Sequence, residues 1–300
     1  MDFFFPRLEL YLTAIPKAGC TSSMNFFTSL ELFLLNNDLT LSDNLDDVSI
    51  ELKNEDLASR VHLSDSPTSR YLTTIKSALI PSSTLFIGIY RDPIARFESF
   101  WIDKVVLQRD SNYFTLSNSL LREKEITSIV DTTDAAKVFL NTLDFSKPEF
   151  IDPHIRPQSS FMLPVERYDL LLETKNLDHL PRYLAEKSPK YNFLRKLKFP
   201  HHNQPLPLLK NALLDFELVN AIYKVYESDF QVFQVPPTKA SLSTVRFYTS
   251  EQMEFILKSR AYRRDALTAE RDALVKSLTW RITRPYRNLK NAFFDNNLCL

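Results

Sequence analysis

Hydrophobic and polar positions near the start of the chain predict a strand, a tight turn and a helix in succession. The run Leu8–Ile15 is rich in apolar, β-prone residues, which is typical of a buried strand, and Pro16 ends it. Beyond the turn, apolar residues recur at the spacing of one helix face, at Met24, Phe27, Leu30 and Leu34. We therefore expect a helix whose first turn carries small hydroxyl residues.

A second unit of the same kind follows along the chain. The run Ser83–Tyr90 has the pattern of a buried strand, and Asp92 and Pro93 suit the N-cap and the first turn of a helix. The apolar face of that helix comprises Ile94, Phe97, Phe100 and Trp101. Because strands separated by helical segments favour a parallel sheet, the pattern predicts an α/β fold with a central, mainly parallel sheet.

Two polar stretches separate the remaining elements. Residues 36–83 and 105–150 predict loops with short helices, one over Thr68–Leu79 and one over Ala135–Leu143. These stretches carry no readable motif, and we expect acceptor specificity to depend on them.

Composition limits the class of protein. Hydrophobic residues make up 44% of the 300-residue chain, which is enough for a sizeable core. Lys+Arg and Asp+Glu both number 37, so no overall charge favours nucleic acid. The two cysteines, Cys20 and Cys299, make a reducing compartment the default. Since the chain has no apolar run of membrane-spanning length and no signal-peptide pattern, we expect a cytoplasmic protein.

The turn after the first strand has the residue types of a phosphate-binding loop. Gly19 gives backbone freedom, hydroxyl groups follow at Thr21 and Ser22, and Lys17 adds positive charge near the positive end of the helix dipole. The order differs from the nucleoside-triphosphate P-loop, G-x-x-x-x-G-K-[ST], because Lys17 precedes Gly19 and no glycine precedes Lys17. A plain strand-to-helix turn with an exposed lysine is the alternative.

The segment Pro16-Lys-Ala-Gly-Cys-Thr-Ser22 resembles the loop with which sulfotransferases bind the 5′-phosphosulfate of 3′-phosphoadenosine-5′-phosphosulfate (PAPS). The resemblance implies a catalytic role for Lys17, which would meet the charge that develops on the leaving group. It also implies that the donor is bound by Lys17, Ala18, Gly19, Cys20, Thr21 and Ser22.

The segment Tyr90–Trp101 resembles the 3′-phosphate-binding segment of the same enzymes. That segment places an arginine at the strand end and a serine eight residues later, as Arg91 and Ser99 are placed here. An arginine can donate two charge-assisted hydrogen bonds to a phosphate. A surface arginine at a helix start is the alternative.

A third segment, Asp152-Pro-His-Ile-Arg-Pro-Gln158, is close to the Asp-x-His-x-x-Pro-Gln segment of carbohydrate sulfotransferases that modify N-acetylgalactosamine- and glucuronate-containing glycans. The resemblance implies that His154 is the base that removes the acceptor proton, and that Arg156 and Gln158 contact donor or acceptor. A structural histidine is the alternative. The rival bases are His201, His202, Glu166 and Glu173, whereas His62 and His179 have no supporting context.

The chain is thus identified as a member of sulfotransferase family 2, the carbohydrate sulfotransferases of the chondroitin and dermatan type. The resemblance implies a P-loop-like three-layer α/β fold and sulfuryl transfer from PAPS to a carbohydrate hydroxyl, with no metal ion. A P-loop kinase and a non-catalytic partner of glycan assembly are the other hypotheses. Because the likeness runs from about Leu8 to Val235, we assign residues 1–240 to the sulfotransferase domain.

The C-terminal part differs in character, and we assign residues 249–290 to a helical extension. Thr249 and Gln252 have the spacing of a capping box, and a long helix is expected to reach about Leu278. The segment Leu278–Arg287 resembles a motif attached to bacterial glycan-assembly glycosyltransferases, which implies a bacterial protein of polysaccharide biosynthesis. A helix that docks on a membrane surface or on a partner protein and a solvated basic helix are the alternatives.

Overall fold

The computed structural model of the chain describes residues 2–48, 50, 80–107, 129–143, 151–200, 215–236 and 249–276. The strands in these ranges are β1 (Asp2–Phe5), β2 (Leu10–Thr13), β3 (Leu85–Tyr90) and β4 (Leu170–Glu173). The α-helices there are α1 (Cys20–Asn36), α2 (Pro93–Phe100), α3 (Ile129–Thr142), α4 (Leu180–Lys187), α5 (Phe216–Val225), α6 (Glu227–Val232) and α7 (Ser250–Lys276). A π-helical segment, Trp101–Leu107, continues α2. Short 3-10 turns cover Leu45–Asp47, Gln158–Phe161, Val165–Arg167, Thr174–His179 and Pro189–Lys196.

The four strands form one sheet in the order β1-β2-β3-β4. Strands β2, β3 and β4 are parallel, and β1 pairs antiparallel with β2 at the edge. The mixed α/β fold with a mainly parallel sheet is therefore confirmed. Because parallel strands end on the same edge, the loops that follow β2 and β3 leave the sheet side by side.

The strand predicted over Leu8–Ile15 corresponds to β2 and is shorter than its apolar run indicates, since it begins at Leu10 and ends at Thr13. Residues 6–9 form the turn of a β1–β2 hairpin, in which Glu9 has a positive φ of 46°. The buried carboxylate of Glu31 on α1 accepts the backbone N–H groups of Arg7 and Leu8, at 2.9 and 3.1 Å. Leu8 thus belongs to a turn that is fastened to α1 and not to the predicted strand.

The two faces of the sheet are covered differently. Alternate strand residues, among them Leu12, Ile87 and Leu172, pack with α1 and α4 in one hydrophobic core. On the opposite side, a Cβ added to Gly88 would lie 2.7 Å from Cε of Met162 and 3.1 Å from Cδ1 of Tyr168. The segment after the third sequence motif therefore lies directly against the sheet.

A second core brings together α2, the π-helical segment, α3, α5 and α6. Its centre is aromatic, with Trp101 5.3 Å from Phe139 and 6.0 Å from Phe97 between ring centroids. Ile256, in the second turn of α7, is fully buried in this core. The start of the long C-terminal helix is thus packed against the segment that follows α2.

The predicted helix boundaries are mostly confirmed. Asp92 caps α2 by accepting the backbone N–H of Ala95 at 2.8 Å. Thr249 and Gln252 form both hydrogen bonds of the capping box, at 2.8 and 3.1 Å. The helix expected over Ala135–Leu143 begins earlier, at Ile129.

Other predictions fall on parts of the chain that are not described. The helix predicted over Thr68–Leu79 and the motif Leu278–Arg287 both lie outside the described residues. Within the described part of the chain, no helix is both long enough and apolar enough to cross a membrane.

Candidate active site

The loop between β2 and α1 has an unusual backbone. Lys17 and Gly19 both adopt left-handed conformations, with φ of 65° and 71°. The N–H of Ala18 donates to the carbonyl of Ile15 at 3.1 Å, which closes a tight turn. The positive φ favours glycine at this position, and a Cβ on Gly19 would also lie 2.6 Å from Cδ1 of Leu177, which would have to move.

Helix α1 begins at this loop, and no acidic side chain in its first turn offsets the positive end of its dipole. Gly19 is the N-cap residue and has no capping side chain, and the first turn contains no acidic residue. Ala18, Cys20 and Ser22 are buried and Thr21 is half-buried. Burial raises the pKa of the Cys20 thiol to about 11, so at neutral pH it is a thiol rather than a nucleophilic thiolate.

The side chain of Lys17 is only 19% exposed, and its ammonium forms an ion pair with Asp103, whose side chain is 35% exposed. Burial lowers the pKa of Lys17, and the Asp103 carboxylate partly opposes this effect. Asp103 lies in the π-helical segment after α2. Sequence reasoning missed Asp103, and its one local signal is its position four residues after Ser99 on the same helical run.

The two cations predicted to bind the donor lie together. Nη1 of Arg91, at the end of β3, donates to the backbone carbonyl of Lys17 at 3.2 Å. Burial also lowers the pKa of Arg91, opposed by the charges of Glu98 and Asp92. Ser99 lies on α2 and is half-buried. The strand ends of both β-α units thus contribute to one site.

Gln158 supports Arg91 from behind. Its side-chain Nε2 donates to the carbonyl of Arg91 at 2.7 Å, and its Oε1 accepts the N–H of Arg91 at 2.9 Å. The Gln158 side chain is fully buried. Gln158 therefore supports the backbone of Arg91, and its contact with donor or acceptor stays a prediction.

Asp229 on α6 anchors the same segment. Its two carboxylate oxygens accept the backbone N–H groups of Gln158 and Ser159, each at 2.8 Å. Asp229 is fully buried. Sequence reasoning missed this residue, because a single aspartate on a short helix has no recognisable pattern.

His154 is paired with an acidic neighbour. Nδ1 of His154 lies 2.8 Å from Oδ1 of Asp152, and the same oxygen accepts the backbone N–H of His154 at 2.8 Å. The imidazole is 37% exposed. This geometry is that of a base oriented by a carboxylate.

Arg156 faces its own segment. Its Nε and Nη2 donate to the carbonyl of Ile151 at 3.2 and 3.0 Å, and its guanidinium lies 5.1 Å from the ring centre of Phe161. Its role towards a substrate stays a prediction.

The rival bases have less suitable surroundings. Glu166 is exposed, and Glu173 forms an ion pair with Lys175. His62, His201 and His202 lie outside the described residues.

One family of known proteins matches most of the chain. The profile of the sulfotransferase family matches residues 3–235. No curated protein and no solved structure matches the chain. The matched range covers more than half of the chain and contains Lys17, Asp103, Arg91 and His154. The chain therefore belongs to the sulfotransferase family.

Proposed function

We propose that the protein transfers a sulfuryl group from PAPS to a hydroxyl group of a carbohydrate. The observation that carries the proposal is the contact between the guanidinium of Arg91 and the backbone carbonyl of Lys17. It brings the guanidinium of Arg91 to the loop that carries Lys17, so that residues of two separate strand–loop–helix units meet in one site. PAPS has anionic groups at both its 5′ and its 3′ positions, which suits such a paired site.

The residues present fit this donor. The left-handed Gly19 and the start of α1 form a P-loop-like anion cradle, and the ammonium of Lys17 belongs to the same loop. Lys17 and the backbone from Gly19 to Ser22 would hold the 5′-phosphosulfate. Arg91 and Ser99 would hold the 3′-phosphate, which distinguishes PAPS from ATP.

In the proposed reaction, the acceptor oxygen attacks sulfur in line with the bond to the 5′-phosphate. The new sulfur–oxygen bond forms as the old one breaks, and the electron pair leaves with the bridging oxygen. Lys17 would stabilise the charge on that oxygen, since a preorganised cation is most effective where charge develops. Adenosine 3′,5′-bisphosphate and the sulfated acceptor are the products.

His154 would take the proton of the acceptor hydroxyl. With Nδ1 directed at Asp152, proton transfer would pass through Nε2. Asp152 would orient the ring and stabilise the imidazolium that forms, so the proton need not move to Asp152. Arg156 and Gln158 remain proposed substrate contacts.

The acceptor class rests on the resemblance of the Asp152–Gln158 segment to carbohydrate sulfotransferases. We infer a bacterial polysaccharide or its precursor as the acceptor, sulfated by a cytoplasmic enzyme. Residues 1–240 would form the transferase domain. The extension over residues 249–290 would contact a membrane surface or a partner protein, beyond the turn in which Ile256 packs on the second core.

Calorimetry with adenosine 3′,5′-bisphosphate tests the donor assignment. We expect tight binding that does not change when Mg²⁺ is added or chelated. Preference for Mg-ATP would favour a kinase, and absence of any nucleotide binding would favour a non-catalytic partner. A transfer assay with radiolabelled PAPS and a panel of polysaccharides then tests the reaction itself, and Lys17→Ala should lower turnover by about 10²-fold or more.

A further inference from the structure

We propose that Arg96 is a positioning residue that holds the donor loop and the His154 segment in the mutual arrangement that sulfuryl transfer requires. This inference rests on the proposed function and concerns the same site. None of the three sequence motifs assigns a role to Arg96. Its side chain contacts both the loop that carries Lys17 and the segment that carries His154.

Arg96 lies on α2 and is only 2% exposed. Its Nε donates to the carbonyl of Pro16 at 3.0 Å. Its Nη2 donates to the carbonyl of Pro153 at 3.1 Å, and its Nη1 donates to the carbonyl of Arg156 at 2.8 Å. One guanidinium therefore bridges two segments that are far apart in sequence.

The positions of the accepting carbonyls give this contact its significance. Pro16 immediately precedes Lys17, and Pro153 immediately precedes His154. The same planar group therefore fixes the peptide group before Lys17, which would stabilise the leaving group, and the peptide group before His154, the proposed base. Because the guanidinium is rigid, a displacement of one segment would strain the hydrogen bonds to the other.

The backbone of Lys17 is left-handed and must be held in place by its surroundings. A residue with a side chain rarely adopts this conformation unless its surroundings enforce it. The carbonyl of Pro16 is held by Arg96, and the next carbonyl, that of Lys17, is held by Arg91. Two arginines of one strand–helix unit thus fix consecutive peptide groups of the donor loop.

The surroundings of Arg96 disfavour its charge but provide an acceptor for each of its three hydrogen bonds. Burial disfavours the charged form of Arg96 and lowers its pKa, an effect opposed by Tyr226 and Asp229. Its three hydrogen bonds go to backbone carbonyls. A lysine at this position could not present donors in the directions of all three carbonyls.

A double-mutant cycle tests the role. In the full-length protein we expect Arg96→Lys to lower kcat by about 10²-fold, because small displacements of reacting groups have effects of that size. We expect the Arg96→Lys, Lys17→Ala double variant to be slower than Lys17→Ala by a factor well below about 10², since part of the effect of Arg96 acts through the position of Lys17 and only the rest through the His154 segment. Two losses that multiply, or an Arg96→Lys kcat within about threefold of the wild type, would overturn the proposal.

Chemical rescue separates positioning from a general loss of folding. Guanidinium ion at tens of millimolar should restore turnover of Arg96→Ala by about tenfold or more, in the way that restoring one donor group restores its contribution. The matched control is Arg182→Ala, which removes an exposed arginine of α4. We expect guanidinium to have no such effect on that variant or on the wild type. Folded Arg96→Ala protein that is slow and does not respond to guanidinium would count against the proposal.

A measurement on the wild type covers the case in which both Arg96 variants fail to fold. The Nε–H of Arg96 should exchange with solvent far more slowly than that of Arg182, as observed by NMR of labelled arginine. Exchange at equal rates would refute the proposed hydrogen bond to Pro16. If the wild type itself transfers no sulfuryl group, the proposed function fails, whereas a transferring wild type with an unaffected Arg96→Lys variant refutes only the role of Arg96.

Discussion

The ammonium of Lys17 forms an ion pair with the carboxylate of Asp103. Lys17 comes from the loop after β2, and Asp103 comes from the π-helical segment that follows α2. Irregular helical turns of this kind are frequent at functional sites. An anionic donor would compete with Asp103 for the same ammonium. The free energy needed to break the ion pair would therefore weaken donor binding.

We predict that Asp103→Asn binds adenosine 3′,5′-bisphosphate more tightly at pH 7. The substitution removes a negative charge beside the phosphate site, and a partly exposed charge pair contributes roughly 1 kcal/mol, or about fivefold in affinity. Calorimetry measures the change. Asp265→Asn on the exposed part of α7 is the control, and equal or weaker binding by Asp103→Asn would contradict the competition.

We predict that affinity for the bisphosphate decreases at alkaline pH, below the ordinary lysine pKa of 10.5. Burial lowers the pKa of Lys17, so its ammonium loses its proton at a lower pH than an exposed lysine does. Because only the charged form attracts the phosphate, the contribution of Lys17 to affinity is complete well below this pKa and is lost as pH rises through it. In Lys17→Arg the decline should move to higher pH. A flat profile for the wild type would exclude Lys17 from the phosphate site.

We predict that Arg91→Ala weakens binding of adenosine 3′,5′-bisphosphate more than binding of AMP, by about tenfold or more. The additional loss reflects the 3′-phosphate, whereas the loss common to both ligands reflects the broken contact with the Lys17 carbonyl. Calorimetry with the two nucleotides measures the ratio, and Arg182→Ala serves as the control. Equal losses of affinity for both ligands would show that Arg91 does not bind the 3′-phosphate.

We predict that His154→Ala binds the bisphosphate normally and lowers kcat by about 10²- to 10⁴-fold, the usual contribution of a positioned base. Asp152→Asn should lower kcat by a smaller factor, because it disturbs the orientation of the ring but leaves the base in place. Steady-state kinetics and calorimetry on the same preparations separate the two effects. His179→Ala, at an exposed histidine, is the control. Unchanged turnover in His154→Ala would show that another group removes the proton of the acceptor hydroxyl.

We predict that Asp229→Ala lowers the free energy of unfolding by about 2–5 kcal/mol, because it leaves one buried and one partly buried backbone N–H group without their acceptor. These groups belong to Gln158 and Ser159. Urea denaturation measures the change, and Asp229→Asn, which keeps one carbonyl oxygen, should lose less. A loss below about 0.5 kcal/mol for Asp229→Ala would show that solvent replaces the carboxylate.

Features that depend on nearby residues were predictable from the sequence. The cap at Asp92 and the capping box of Thr249 and Gln252 each involve residues three positions apart. The two strand–loop–helix units and the parallel sheet follow from hydrophobic periodicity in the same local way. The loop at Lys17 and the arginine at the end of β3 were also identifiable, since each follows a recognisable strand.

Only the tertiary structure decided which side chains surround these groups. Lys17 and Asp103 are 86 residues apart, and Arg91 and Gln158 are 67 residues apart. The side-chain amide of Gln158 binds the backbone of Arg91, a contact that no local pattern predicts. The contacts of Arg96 became visible only because folding buries its guanidinium between the Lys17 loop and the His154 segment. Long-range polar contacts leave no periodic pattern in a sequence, because they depend on which unlike segments the fold brings together and shields from water.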